Sequence, residues 1–537
     1  MKKNILYILP VIGLFFSCTE QAIDLHQKDA ITYAVAFETA ERCELAIVGC
    51  YDAAQSGYYP GNDQRRGYPF GAATVQQGDM KGEDMVNVQQ FFAVTYNGDY
   101  SASSPNGQAH WECTYQMMNK ISIAIEGLRG AADKGVLSAA KAADGEAEIR
   151  FLRALGLHEI LVYFALPYAA TPDASHYGAP ISLTPINTID KVAEAQEAGR
   201  ATVKATYDQI LADLEYAEQN IAASRAGGLN ISRATTTAVI ALKARVYQHM
   251  GMWDKAIEES NKIVSASAPF SSPFGGRRLT EQPEGPFEYG SNGSNTESVF
   301  SIENAVLDNA TNNGSLSQFY SNVRGLVCVS PIIINADFWL ADDLRREQLL
   351  TRFASGPTIE AFWSWKYRAG TVMDDWTPII RYAEVLLNYA EAEARVNGVS
   401  QKAVELLNAV RNRAVLDPAK QFSVSSFSNA DELVTAILQE RRIEFLAEGR
   451  RWPDIHRLTY DSKHAVRGAD GQPGVPAKAT FGSMTTESYN PASGVVDPGI
   501  LNTNGFNYED RRYIFPIPAS EITSNPKMAT QQNAGWS

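Results

Sequence analysis

The stretch Glu440–Leu458, ERRIEFLAEGRRWPDIHRL, governs how the rest of the chain is read. Nine of its nineteen residues are Glu, Asp or Arg, with one Trp and one His among them. Glu440, Glu444 and Glu448 recur at every fourth position, which on a helix lines three carboxylates along one face. Three readings compete: an acid/base or metal site, a nucleic-acid patch, and a structural ion network. The longer segment NADELVTAILQERRIEFLAEG predicts a helix capped near Asn429 or Asp431 and stopped by Gly449. Its apolar face of Leu433, Ile437, Leu438, Ile443, Phe445 and Leu446 is broad, which implies burial. Carboxylates four apart repel, so cations are expected beside them, from Arg441, Arg442, Arg450 or a neighbouring helix. A metal site lacks a histidine at ligand spacing, because His456 lies beyond the Gly449 break. The network reading is preferred.

The chain has 537 residues, 45% hydrophobic and 20% charged, enough to bury a large core. A net charge of −14 argues against phosphate-backbone binding, so nucleic acid is not an expected partner. At the N-terminus, MKKNILYILPVIGLFFSC places two lysines before an apolar run from Ile5 to Phe16, then Ser17 and Cys18. That is an export signal, with a run too short to span a bilayer. Ending in Ser-Cys, it resembles a bacterial lipoprotein signal, in which Cys18 becomes the lipidated first residue and residues 1–17 are removed. Several acyl chains on one cysteine suffice for a firm membrane anchor. Of the other cysteines, Cys43 and Cys50 lie about 10 Å apart on one helix, too far to bridge. Cys43–Cys113 and Cys50–Cys113 bridges stay open in an exported chain; buried free thiols, Cys328 included, are the expectation. No CxxC or His cluster points to zinc.

Helical periodicity dominates Glu146–Phe164, Ala201–Ile221, Thr235–Val264 and Pro378–Ala414. The last two read as helix, Gly turn, helix, around Gly251 and Gly398. They resemble degenerate tetratricopeptide units in length and in the placement of small and aromatic residues. Paired helices of this kind stack apolar faces. Because the pairs are far apart in sequence, a continuous array is not expected; the fold class is mainly α, helix pairs with large irregular inserts. Residues 18–230 and 231–537 are read as N- and C-terminal regions of one interleaved body.

The inserts are aromatic. Gln55–Trp111 holds Tyr58, Tyr68, Phe91, Phe92 and Tyr96 among many small and polar residues, and Pro269–Trp365 holds Phe287, Tyr289 and Tyr320. A third, His464–Tyr508, is rich in Gly, Ser and Pro and is expected to be solvent-exposed. Loops this long usually carry function. Flat rings stack on the apolar faces of sugars while Asp, Asn and Arg bind hydroxyls, so the composition fits carbohydrate binding. The competing reading is that many of these rings close loops onto the body. GDMKGEDMVN, Gly78–Asn87, clusters Asp79, Glu83, Asp84 and Asn87 but fits no standard calcium loop. No GxSxG, HExxH, Walker A or GxGxxG motif occurs. A glycosidase needs only two carboxylates, which no motif marks.

The opening stretch is similar to the C-terminal signature of the SusD/RagB family, surface lipoproteins of glycan-foraging Gram-negative bacteria. Three more segments agree, in order: WECTYQMMNKISIAIEGL (Trp111–Leu128), RYAEVLLNYAEAEARVNG (Arg381–Gly398) and RRYIFPIPASEITSNPKMATQQNAGW (Arg511–Trp536). The resemblance implies a helical tetratricopeptide-like body with an irregular ligand-binding face, no catalysis and no cofactor. It implies a location at the outer membrane, and oligosaccharide or polysaccharide captured for a SusC-like TonB-dependent transporter. No short motif marks the binding residues. The expected ligand contacts are Asp84, Asn87, Phe91, Phe92, Tyr96, Phe287, Tyr289 and Tyr320, with no metal or catalytic residue. The alternatives are a peptide-capturing RagB-like lipoprotein and a surface glycoside hydrolase.

Overall fold

The computed structural model describes residues 35–58, 65–321, 323–355, 359–501 and 505–536. Cys18 and the signal segment lie outside the described residues. The early helices are α1 (Ala40–Gln55), α2 (Ala72–Lys81), α3 (Pro105–Asp133), α4 (Ala139–Phe164) and α5 (Val203–Asn220). The pair α6 (Thr236–His249) and α7 (Trp253–Ile263) follows, then α8 (Tyr382–Asn397) and α9 (Gln401–Arg411), then α10 (Ala430–Glu444) and α11 (Arg451–Arg457). Polar residues start several of them: Thr39, Ser400 and Asn429 each accept a hydrogen bond from the backbone N–H three residues on, at 3.0–3.3 Å.

The helix pairs sit where the periodicity puts them, but they do stack continuously. From α3 onward each helix packs on the next, through α4, α5, α6 and α7, and α7 then packs on α8 across the whole intervening insert. The bridging contacts are specific: Tyr389 Oη donates to Asn261 Oδ1 at 2.5 Å and Tyr382 Oη to Ile263 O at 3.0 Å. Distance in sequence does not separate these helices, because the insert leaves and returns at one place. There, β1 (Ser298–Ile302) pairs antiparallel with Thr377–Arg381, the strand leading straight into α8.

A second hydrophobic core lies beneath the inserts. It gathers Tyr68, Met80, Phe92, Phe319, Trp339, Trp363, Ile443 and Tyr489 from segments far apart in the chain. The third insert belongs to it: Ala479, Met484, Tyr489 and Ile500 are buried there, and Lys478 is buried beside them, correcting the expectation of an exposed loop. Large rings remove more apolar area from water than any other side chain, so they close loops onto the body first. All four cysteines among the described residues are buried free thiols.

The signature departs from its predicted shape at one point. Helix α10 ends at Glu444, and Phe445–Gly449 form a turn with Ala447 and Gly449 at φ +64° and +71°. Glu448 is therefore presented from the turn and not from the helix face. Helix α2 crosses this turn in direct contact: a Cβ on Gly78 would stand 2.2 Å from Gly449 O. Both partners are backbone, so neither can swing aside. Gly78→Ala is expected to destabilise the protein by about 1–3 kcal/mol, the usual range for overpacking, read as a lower midpoint of urea unfolding. An unchanged midpoint would show that α2 and the turn can separate freely.

Candidate functional site

The carboxylate ladder is saturated by cations from other segments. Glu440 accepts from Arg345 at 2.5 Å and Arg411 at 3.2 Å. Glu444 accepts from Arg345 at 3.0 Å, Arg381 at 2.8 Å and Arg413 at 2.6 Å. Glu448 accepts from Lys366 at 2.6 Å and Arg381 at 2.7 Å. Arg413 and Arg381 also share Glu297. Burial opposes ionisation of Glu444, but Arg413, Arg381 and Arg345 more than reverse it and hold the carboxyl well below its ordinary range. Such groups neither give nor take a proton near neutrality. The lattice is scaffold, as the spacing and the missing ligands predict.

Most of the expected ligand contacts are interior. Asp84 is buried and takes a hydrogen bond from Arg442 Nε at 3.0 Å. Phe92 packs edge-on against Phe319, ring centres 6.3 Å apart. Tyr96 Oη donates to Ala479 O at 2.5 Å, and Tyr320 Oη to Asp79 Oδ2 at 2.6 Å. Phe287 lies between the Lys366 ammonium and the Arg381 guanidinium, at 4.9 and 5.1 Å. All five are buried, so none of them presents an open ring or carboxylate at the surface of this structure. Asn87 is half-buried, its Nδ2 donating to Gln89 O. Tyr289 is 60% exposed. The Phe91 side chain is outside what the structure describes.

An open cleft of about 290 Å³ lies elsewhere, along α1. Val48, Tyr51, Asp52 and Gln55, spaced 3, 4 and 7 apart on one helix face, form its first wall. Ile302, Glu303, Ala305 and Asp308, from the end of β1 and its reverse turn, form the second. Leu229, Ser232 and Arg233 close it. Gln55 is the keystone. It is only 5% exposed, and its Nε2 donates to Glu303 O at 2.8 Å and Asp308 O at 3.1 Å, pinning the turn to α1. Its Oε1 accepts no hydrogen bond among the described residues. A buried amide oxygen left without a donor is disfavoured by about 1–3 kcal/mol.

The rest of the cleft is rigid. Tyr51 Oη donates to Glu148 Oε2 and accepts from Ala234 N, both at 3.0 Å, fixing its ring against Arg233. Trp376 Nε1 donates to Asn304 O at 3.0 Å, bracing the turn from outside. Trp376 also packs on Gly293, in the loop that carries exposed Tyr289. Leu229 and Arg233 are shared with a second groove of about 780 Å³ towards the start of α1. The larger groove falls in the size range of small-molecule sites, roughly 300–1,000 Å³, and the cleft lies at its lower edge. Sequence reasoning missed this wall of α1; its only trace is Tyr51, Asp52 and Gln55 on a face where an interior helix would be apolar.

A model of the SusD family matches residues 347–536, and a second, described as starch-binding and associating with the outer membrane, matches residues 56–248. The chain belongs to the SusD-like family. SusD-like protein P2 of Formosa agariphila is 26% identical over 379 residues, which cover 62% of this chain and 69% of that one. A SusD superfamily protein of Bacteroides fragilis superposes with a TM-score of 0.72 at 25% identity, covering 92% of this chain and 99% of that one. Surface glycan-binding protein A of Bacteroides uniformis has a similar fold, with a TM-score of 0.66 at 20% identity over 92% and 100%. In this SusD-like chain the ion lattice centred on α10 lies largely within the later match. Helix α1 and the turn after β1, the two main walls of the cleft, lie outside both matched ranges.

Proposed function

We propose that the protein is an outer-membrane surface lipoprotein, anchored through Cys18, that captures oligosaccharide and passes it to a SusC-like TonB-dependent transporter. The family description, starch-binding and associating with the outer membrane, supports the ligand class and the location. The observation that carries the reading is the α1 cleft, where the fixed Tyr51 ring lines one wall beside Asp52. A hydroxyl-rich ligand would meet that ring, the Asp52 carboxylate and the Ser232 hydroxyl. Tyr289, the exposed ring on the neighbouring loop, extends the surface. The repeat helices serve as frame. The role is capture without hydrolysis.

Leu229→Arg fills the junction of cleft and groove from a half-exposed position, leaving the core untouched. It is expected to weaken retention in polysaccharide-containing gels at least tenfold, about 1.4 kcal/mol, with an unchanged melting curve. Tyr289→Ala is expected to weaken it less. Retention that survives Leu229→Arg would remove the site from α1. Peptide binding with no glycan retained would favour the RagB-like reading, and release of reducing ends would favour a hydrolase.

A further inference from the structure

An amphipathic helix on a globular protein lays its apolar side on the core. The helix Ile189–Gln196, between α4 and α5, is turned the other way, and none of its residues is buried. Ile189 is 88% exposed and Val192 45%, and at three-residue spacing they share one side. The less exposed positions, Lys191 and Ala195, share another. A lysine and an alanine therefore lie toward the body while the branched apolar side chains lie toward solvent. Polar anchors hold the helix in this pose. Asn119 of α3 grips the chain just before it, Nδ2 donating to Ile186 O at 3.2 Å and Oδ1 accepting from Ile186 N at 2.8 Å. Thr188 caps its start, accepting from Lys191 N at 3.3 Å. Asn525 grips its end, Nδ2 donating to Ala195 O at 3.3 Å and Ala198 O at 2.6 Å. A helix of 8 residues does not persist in water on propensity alone, so these bonds are what display it. An apolar ridge fixed beforehand suits a protein groove, because little ordering is left for association.

The charges beside the ridge choose among occupants. Asp190 and Glu197 are exposed there, and Lys191 is bonded to Glu194 at 2.6 Å. A second copy, meeting this patch with the same patch, would set like carboxylates against each other. A lipid surface calls for lysines and arginines around the apolar side. Lys191 is already engaged, and Lys527, beside Gly199, lies past the end of the helix. A protein groove that is apolar along its floor and basic at its rim complements both features. Resting on the reading of the chain as the partner of a SusC-like transporter, we propose that this helix is where the transporter seats. Ile189 and Val192 enter an apolar groove on its exposed face, and Asp190 and Glu197 meet cations at the rim. None of these residues lines the α1 cleft or the groove beside it, so seating and glycan capture are separable.

The test is recovery of the SusC-like transporter with the tagged, full-length lipidated chain from outer membranes of its own cells in gentle detergent. The double variant Ile189→Gln, Val192→Gln keeps helix-compatible side chains and removes the ridge. It is expected to lower the recovered transporter at least tenfold, with melting curve and glycan retention unchanged. Asp190→Lys combined with Glu197→Lys is expected to lower it as well. Val495→Gln, which removes a 65% exposed apolar side chain from the third insert, is the control and is expected to leave recovery intact. Undiminished recovery with the Ile189→Gln, Val192→Gln variant would overturn the proposal and leave the transporter reading standing. So would a dimer of the purified wild-type chain that the same variant dissolves. Absence of the transporter from the wild-type eluate would instead remove the reading on which the proposal rests.

Discussion

Replacing Arg381 with methionine is expected to destabilise the protein by about 3–5 kcal/mol, the range seen when one partner leaves a buried ion network. Arg381 is fully buried and its fork reaches Glu297, Glu444 and Glu448, with a further bond from Nη2 to Glu444 O at 3.0 Å. Without it, three carboxylates converge on a space that water cannot enter. Lys366, Arg345 and Arg413 remain, but they are already bonded to the same acids. Domains of ordinary stability have roughly 5–15 kcal/mol in total, so the variant should express poorly and unfold at much lower denaturant. Arg381→Lys is expected to recover less than half of the loss, because one ammonium cannot reproduce a planar fork. Lys191→Met, which breaks an exposed pair with Glu194, should change stability by less than about 1 kcal/mol. Equal unfolding midpoints for Arg381→Met and Lys191→Met would show that the lattice does not hold the fold.

The second large effect is acid sensitivity. Burial opposes ionisation of Glu83, Glu384 and Glu391, but facing arginines more than compensate, and all three carboxyls are held at about 2. Glu444, Glu448 and Asp454 are lowered in the same way. A carboxyl depressed in the folded state contributes stability that is present above its unfolded pKa and lost as pH falls through the folded one. The loss therefore falls between about pH 4.5 and pH 2. Asp79 works the other way. Burial pushes it up to about 7, so its contribution fades as pH rises from about 4 to 7. Melting temperature should peak near pH 5, decline gently towards neutrality and collapse below pH 4.5. A melting curve unchanged at pH 2.5 would contradict the arrangement of charges.

The helix pairs were legible because period and turn glycines are local signals, as at Gly251 and Gly398. The carboxylate ladder was legible as an unmet demand for cations, although the suppliers Arg345, Arg381 and Arg413 carry no mark of that role. Of the two readings open for the insert rings, burial favours the one in which they close loops onto the body. Phe92, Phe287 and Tyr320 look like exposed recognition rings in a polar, glycine-rich context, yet burial of their large apolar area outweighs the polarity of their neighbours. Gln55 could not be found from sequence at all. Its significance is that Nε2 bonds Glu303 and Asp308, about 250 positions away, and so pins the turn to α1.

The meeting of α2 with the signature turn has a consequence for the order of events in synthesis. Gly449 N donates to Asp79 Oδ1 at 3.0 Å across 370 positions, and Arg451 reaches Glu83 across 368. A chain made from its N-terminus carries these acids in water until nearly all of it exists. The loop that must close is long and the contact it gains is non-local, conditions that slow folding. The early part can form helices but cannot lock its second core, because Ile443, Leu446 and Ala447 have yet to arrive. Late closure keeps the growing polypeptide pliable, the state that export of the proposed lipoprotein would require.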